Sequence, residues 1–232
     1  YEAYLDDKRI PCYWRINAKA KQILKLVRPL QGMYTYLCVH GGFDIKPVLE
    51  STSTNTKAGF GGFEGRYLKT GDTINVKKAS SLPVIGVARL APTQTIRVIK
   101  SSEYECFTTA SQEVFETQAW KLQTNSNRMG YRLAGESALE FSEPVEMSSH
   151  GVDIGMIQVP PQGQPIVLMA DGQTTGGYPK IATVINADIG LMAQIRFGKA
   201  CQFTVVDVEQ ALHEQQKRHH YINQIEEYAH EN

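Results

Sequence analysis

Short runs in which apolar and polar residues alternate, separated by Gly, Pro, Asn and Asp, dominate this chain. Residues 21–30 alternate in part, and 33–40 alternate around Tyr34, Tyr36 and Cys38. Gln31-Gly32 between them suits a hairpin turn, because Gly takes positive φ without a Cβ clash. Further β-type runs fall at 73–76, 95–99, 121–124, 166–170, 180–185 and 202–206, each rich in Val, Ile, Thr or aromatics. Many short strands with turns between them predict a barrel or sandwich rather than a doubly wound α/β sheet. Three segments carry the helical period instead. Thr109-Ala-Ser-Gln112 resembles a capping box, with Ala110, Val114 and Phe115 on one face behind it. Asp188 is placed to cap a short helix that turns Leu191, Met192 and Ile195 inward and stops at Gly198. Residues 207–230 form the longest helix. Its apolar stripe of Val208, Leu212, Ile222, Ile225 and Ala229 is broken by a polar middle, which predicts packing at the two ends only. Linker composition at Lys77-Lys78-Ala-Ser-Ser-Leu-Pro83 and Ala91-Pro92-Thr93 places a boundary between residues 76 and 95. The stretch before it contains no evident complete core.

The 232 residues hold 24 Lys and Arg against 24 Asp and Glu. That balance argues against a basic groove and a nucleic-acid partner. No apolar run approaches the ~18 residues of a membrane span, and no basic start followed by an apolar stretch marks a secretory signal. Cys12, Cys38, Cys106 and Cys201 lie far apart without a short ligand spacing. They read as reduced thiols of a cytoplasmic protein, with no metal site.

Three segments carry candidate chemistry. Gly59-Phe-Gly-Gly-Phe-Glu-Gly65 fails both the dinucleotide and the phosphate-loop patterns, and reads first as a close passage of two chain segments. Asn125-Ser-Asn-Arg-Met-Gly-Tyr-Arg132 gathers amides, two guanidinium groups and a phenol around Gly130. A polar turn explains the two Asn residues, but not Arg128 and Arg132, whose planar forks suit carboxylate or phosphate. The third, Asp171-Gly-Gln-Thr-Thr-Gly-Gly-Tyr-Pro-Lys180, is a polar loop delivered by the 166–170 strand. Asp171 is the candidate general base or metal ligand, Gln173 and Thr174 the amide or carboxylate binders, and Lys180 the electrostatic clamp. The arrangement requires Arg128, Asp171 and Lys180 to meet at one mouth of a barrel. His213, His219, His220 and His230 read as a solvated helix face, whereas His40 and His150 precede glycines and suit a ligand or base.

Ser126-Asn-Arg-Met-Gly-Tyr-Arg-Leu133, Gln158-Val-Pro-Pro-Gln-Gly-Gln-Pro165 and Gln173-Thr-Thr-Gly-Gly-Tyr-Pro-Lys-Ile-Ala182 resemble the biotin-dependent carboxyltransferase/allophanate hydrolase subunit 2 family, which includes the bacterial 5-oxoprolinase C subunit and KipA. Gly41-Gly42, residues 51–54, the glycine loop with Arg66 and Leu68, and Gly71-Asp72 match its earlier segments in order. The family's Thr-Gln-Asp-Gly-Arg type segment is not found, so the resemblance implies a first barrel whose N-terminal part is missing. It implies two tandem cyclophilin-like β-barrel subdomains: 1–80 as the back part of the first, 81–206 as the second, then a C-terminal helix at 207–232. It also implies ATP-dependent opening of 5-oxoproline to glutamate, with Mg2+, in a complex with 5-oxoprolinase subunits A and B, the latter homologous to KipI and allophanate hydrolase subunit 1. The site residues are then Asp171, Lys180 and Arg128 for catalysis. Asn127, Arg132, Tyr131, Gln158, Gln173, Thr174, Gly176, Gly177 and Tyr178 are those for the substrate. Two alternatives remain open: carboxyl transfer from carboxybiotin in a urea carboxylase system, and a non-enzymatic, KipA-like regulator.

Overall fold

A computed structural model describes all residues except Lys78, Ala79, Leu90, Pro92 and Asn232. These include part of the expected 76–95 linker, which to that extent lies outside the described residues. The chain divides into two compact units. One comprises Tyr1–Tyr13, Gln22–Tyr34 and Gly86–Asn232; the other comprises Trp14–Lys21 and Thr35–Ile85. Residues 1–13 and 22–34 thus group with the C-terminal two-thirds of the chain.

The larger unit is built on a closed seven-stranded barrel, one of the two forms that the alternation allows. Its strands are β1 (Thr95–Lys100), β2 (Trp120–Leu122), β3 (Gly130–Ala134), β4 (Met156–Gln158), β5 (Ile166–Leu168), β6 (Lys180–Val184) and β7 (Ala200–Val205). They run in the order β3-β5-β4-β6-β1-β7-β2, closing back on β3. Among these strands only β1 and β7 pair in parallel. Period-2 side chains such as Ile96, Val98, Leu122, Leu133, Ile157, Val167 and Phe203 fill the interior, each at most 2% exposed. Full closure removes the unpaired sheet edges that an open sheet of this length would carry.

Helix α1 (Thr109–Thr117) packs on the barrel through Phe115, which stacks on Phe203 at 4.8 Å between ring centroids. Its cap is Thr108 rather than Thr109, with Oγ1 accepting from Ser111 N at 3.2 Å. Ala110 is exposed while Ser111 is buried, because the Ser111 hydroxyl accepts from Glu140 N at 2.7 Å. In α2 (Asn186–Ala193) Ile185 occupies the cap position, and Asp188 lies in the first turn, fully buried against Arg97. Its expected role as a cap is therefore replaced by an ion pair. Helix α3 (Val208–Glu231) also departs from expectation. Val208, Leu212 and Ile222 are exposed, whereas the middle is docked through Glu214 on Arg97 (2.7 Å) and Arg218 on the Ala187 carbonyl (2.6 Å). The surface under the helix offers a cation and a backbone carbonyl, so charged side chains pack there beside the buried Ala211, which joins Ile185, Ala187 and Val206 in a small apolar cluster.

The hairpin expected at 21–40 forms only on one side. Leu24–Arg28 pairs with Glu2–Leu5, and Gly32 takes φ +70°, but 33–40 contains no strand. The side chain of Gln194 takes the place of a neighbouring strand. Its Oε1 accepts from Met33 N (2.7 Å) and Tyr34 N (3.0 Å), and its Nε2 donates to Tyr34 O (3.1 Å).

Within the smaller unit, residues 73–76 give an isolated bridge from Val76 to Phe43 rather than a strand. The glycine loop is a close chain passage, as its composition suggests. A Cβ on Gly62 or Gly65 would collide with Thr54 or with the Gly59–Phe60 backbone, and both take positive φ. Arg66 closes the loop on Asp72 at 2.8 Å, and hydrogen bonds from Arg66 and the Lys69 amide hold the Asp72 carboxyl down at about 2.

Candidate functional site

Strand β5 ends at Leu168, opposite Gly130 of β3, so the loop after β5 and the turn before β3 meet at one rim of the barrel. Arg128 and Asp171 meet there in a two-pronged ion pair. Nε lies 2.9 Å from Oδ2 and Nη2 lies 3.0 Å from Oδ1. The backbone holds the two loops in register, with Asp171 N donating to Arg128 O (2.8 Å) and Met169 N to Met129 O (3.1 Å). Asn127 shapes the bend by accepting from Met129 N at 2.8 Å, the turn role open to an Asn. Both charged side chains remain in water, 69% and 52% exposed.

Lys180 does not join this pair. Strands β5 and β6 are both antiparallel to β4, hence parallel to one another, so the connection between them crosses the barrel wall from rim to rim. Lys180 starts β6 opposite Gln158, and Gln158 in turn lies opposite Ile166 at the start of β5. The expected meeting of Arg128, Asp171 and Lys180 at one mouth is thus corrected by topology. Lys180 is buried and tied twice to Glu103, whose Oε2 accepts from Lys180 N (3.1 Å) and lies 3.2 Å from Nζ. Burial pushes the Glu103 carboxyl up, but Ser102 and both Lys180 groups outweigh it and hold it below the ordinary range. No sequence motif marks Glu103, because only the long-range register of Ala182 with Lys100 brings it to Lys180.

The crossing loop covers the outer wall of β4 and meets Gln158, 2% exposed. Gln173 Nε2 donates to Gln158 Oε1 at 3.2 Å, and Gln158 Nε2 donates to Tyr178 O at 3.4 Å. A Cβ on Gly176 would strike the Gln158 amide, so the loop needs glycine to lie this close. Thr174 is exposed and uses its carbonyl to accept from Val152 N. Beside the loop, Gly177, Tyr178 and Pro179 line a cavity of about 360 Å3 with Met147, Val159 and Pro161.

Two expected contacts take other positions. Tyr131 points into the barrel core, 1% exposed, with its hydroxyl donating to Ala193 O at 3.2 Å. Burial and the neighbouring Tyr34 raise its pKa, so it serves the core rather than a ligand. Arg132 projects from the outer face of the same strand. His150 Nδ1 donates to Ser148 O at 3.1 Å, leaving a buried Nε2 without a partner among the described residues. Burial pushes the Cys201 thiol up to about 12, as expected for an inert core cysteine. Among the described residues no group of three His, Cys, Asp or Glu is placed to hold a metal ion. No helix among them is long and apolar enough to cross a membrane.

The family model described as "Carboxyltransferase domain, subdomain A and B" matches residues 1–205. The chain belongs to this carboxyltransferase family. Within it, the chain is 48% identical over 226 residues to the 5-oxoprolinase C subunit of Haemophilus influenzae, covering 97% of this chain and 73% of that protein. It is 46% identical over 226 residues to the 5-oxoprolinase C subunit of Escherichia coli, with the same two coverages. Among solved structures, urea amidolyase of Kluyveromyces lactis superposes with a TM-score of 0.80 at 26% identity, covering 90% of this chain and 14% of that one.

Proposed function

We propose that this chain is the C subunit of an ATP-dependent 5-oxoprolinase, which opens 5-oxo-L-proline to L-glutamate together with companion subunits A and B in the cytoplasm. The observation that carries this reading is the 48% identity, along 97% of the chain, to a protein named as that subunit. A lactam carbonyl is a poor electrophile, and phosphoryl transfer from ATP to its oxygen, with release of ADP, activates its carbon. Water then adds at that carbon, the ring C–N bond breaks as nitrogen takes a proton, and a second water releases phosphate from the acyl phosphate to leave the carboxylate. The chemistry calls for cations facing carboxylate and phosphate, and for amide-matching groups at the ring. Arg128 and Arg132 fit the first need, and the exposed Gln173 and Thr174 fit the second. Asn127 and Asp171 frame the Arg128 rim, and Gln158, Gly176, Gly177 and Tyr178 hold the loop that carries Gln173. Lys180, neutralised by Glu103, fastens the opposite rim instead. Mg2+ would enter this reaction as the companion of the nucleotide phosphates.

Of residues 1–80, 14–21 and 35–80 fit the back part of a first cyclophilin-like subdomain, whereas 1–13 and 22–34 group with the larger unit. None of the described apolar side chains of Trp14–Lys21 and Thr35–Ile85 is buried, which is what half of a barrel would show. Co-expression of the full-length protein with subunits A and B yields glutamate from 5-oxoproline only when ATP is present; glutamate release without ATP, or none with it, refutes the proposal. The superposition on urea amidolyase favours a second reading, carboxyl transfer from carboxybiotin. Avidin blotting of the native complex separates the two, since only that reading requires a biotinylated partner.

A further inference from the structure

We propose that the Asp171 carboxylate is a displaceable stand-in for the carboxylate of a small cyclic amide, holding the Arg128 fork until substrate takes its place. The inference rests on the 5-oxoprolinase reading and assigns one group of that substrate to one side chain. Three observations carry it. The contact has the two-pronged geometry by which a guanidinium receives any carboxylate, at 2.9 and 3.0 Å. Both partners are more than half exposed, and ion pairs in water are weak, so opening this pair for an arriving carboxylate costs at most about 1 kcal/mol. Finally, the turn that carries the fork does not depend on the Asp171 carboxylate for its position. Asp171 N to Arg128 O, Met169 N to Met129 O and the Asn127 side chain on Met129 N are independent of the Asp171 carboxylate. Gly172 keeps the turn tight, because a Cβ there would lie 3.0 Å from the carbonyls of both Met129 and Met169. The Asp171 carboxylate can therefore leave without moving the Arg128 backbone from the rim.

The test is equilibrium binding of 5-oxoproline to the full-length protein in its complex, followed by ligand-observed NMR. Pyrrolidin-2-one, the same lactam without the carboxylate, serves as the control probe. Asp171→Ala tightens 5-oxoproline binding about fivefold, equivalent to ~1 kcal/mol at 1.4 kcal/mol per tenfold. Arg128→Ala weakens it about fivefold, the most an exposed ion pair of ~1 kcal/mol supplies, Arg128→Lys restores part of the loss, and pyrrolidin-2-one binds all variants alike. Unchanged or weaker 5-oxoproline binding in Asp171→Ala overturns the stand-in role, and so does a tightening confined to inorganic phosphate. A wild-type complex that binds 5-oxoproline but never turns it over refutes the enzymatic reading while the stand-in survives. Absence of binding overturns both.

Discussion

Asp188 shows most directly how one residue governs this barrel. It is fully buried in the first turn of α2 and accepts from Arg97 N (2.8 Å), Nε (2.9 Å) and Nη2 (2.6 Å). Removing one partner of such a pair strands a charge in a low-dielectric interior. Arg97→Ala therefore costs about 3–5 kcal/mol, read as a lower urea midpoint. Replacing both partners with apolar residues, Arg97→Met with Asp188→Leu, recovers most of that loss because no charge is left stranded. A midpoint for Arg97→Ala within a few tenths molar of wild type would show that Asp188 is satisfied elsewhere. The sequence pattern makes Asp188 visible as a helix-start residue. It does not reveal its partner, which lies 91 positions away and is set by the closing of the barrel.

At the scale of elements, Gln194 is a side chain acting as a β-strand. Its amide makes three bonds to the backbone of Met33 and Tyr34. Gln194→Ala should cost about 1.5–4.5 kcal/mol, at roughly 0.5–1.5 per net bond. The check is faster hydrogen exchange at the Met33 and Tyr34 amides with little change in β1. This contact also explains where the sequence is silent. Strand runs that pair with other strands in the barrel, such as 95–99, 166–170, 180–185 and 202–206, are legible within a residue or two because burial there follows the two-residue period. Residues 33–40 carry the same alternation but no strand lies beside them, so the pattern alone misplaces them. The candidate site is legible to the same degree. The Arg128 turn and the Asp171 loop do meet, yet Lys180 goes to the other rim because strand order, which no local pattern encodes, separates the two ends of its loop. Helix α3 follows the same logic, docking by charge and through the buried Ala211 rather than through Val208, Leu212 and Ile222. Hydrogen bonds from Lys217 and Arg97 hold the Glu214 carboxyl down at about 2, against an ordinary value of 4.5. A depressed carboxylate stabilises above its unfolded value, and that contribution is lost as pH falls through the folded value. The α3 contact should thus weaken between about pH 4.5 and 2, seen as rising amide exchange in α3, and Glu214→Gln should remove that pH dependence.

At the scale of the whole molecule, the two units differ in what holds them. The larger has a continuous core that includes Phe115, Trp120, Tyr131, Ile157 and Phe203. The smaller, among its described residues, exposes Tyr36, Leu37, Leu49, Tyr67 and Leu68 by 53–86% and buries no apolar side chain. Its order comes from turns, the Arg66–Asp72 ion pair and glycines that let segments touch. Local stability follows the density of buried apolar contacts, because opening a segment that buries nothing exposes nothing new to water. Hydrogen exchange on this 232-residue chain should therefore show barrel amides protected close to the global limit, while those of 35–85 exchange orders of magnitude faster. Gly65→Ala, which forces a Cβ into the Gly59–Phe60 backbone, should release the smaller unit further and leave barrel protection unchanged. Equal protection in both units would mean that turns and one ion pair stabilise a unit as well as a packed core does. If the first 80 residues are the back of a barrel, supplying the full-length protein should slow exchange at Tyr36, Leu49 and Tyr67 first, since these large apolar side chains are the most exposed of the unit and have the most surface left to cover.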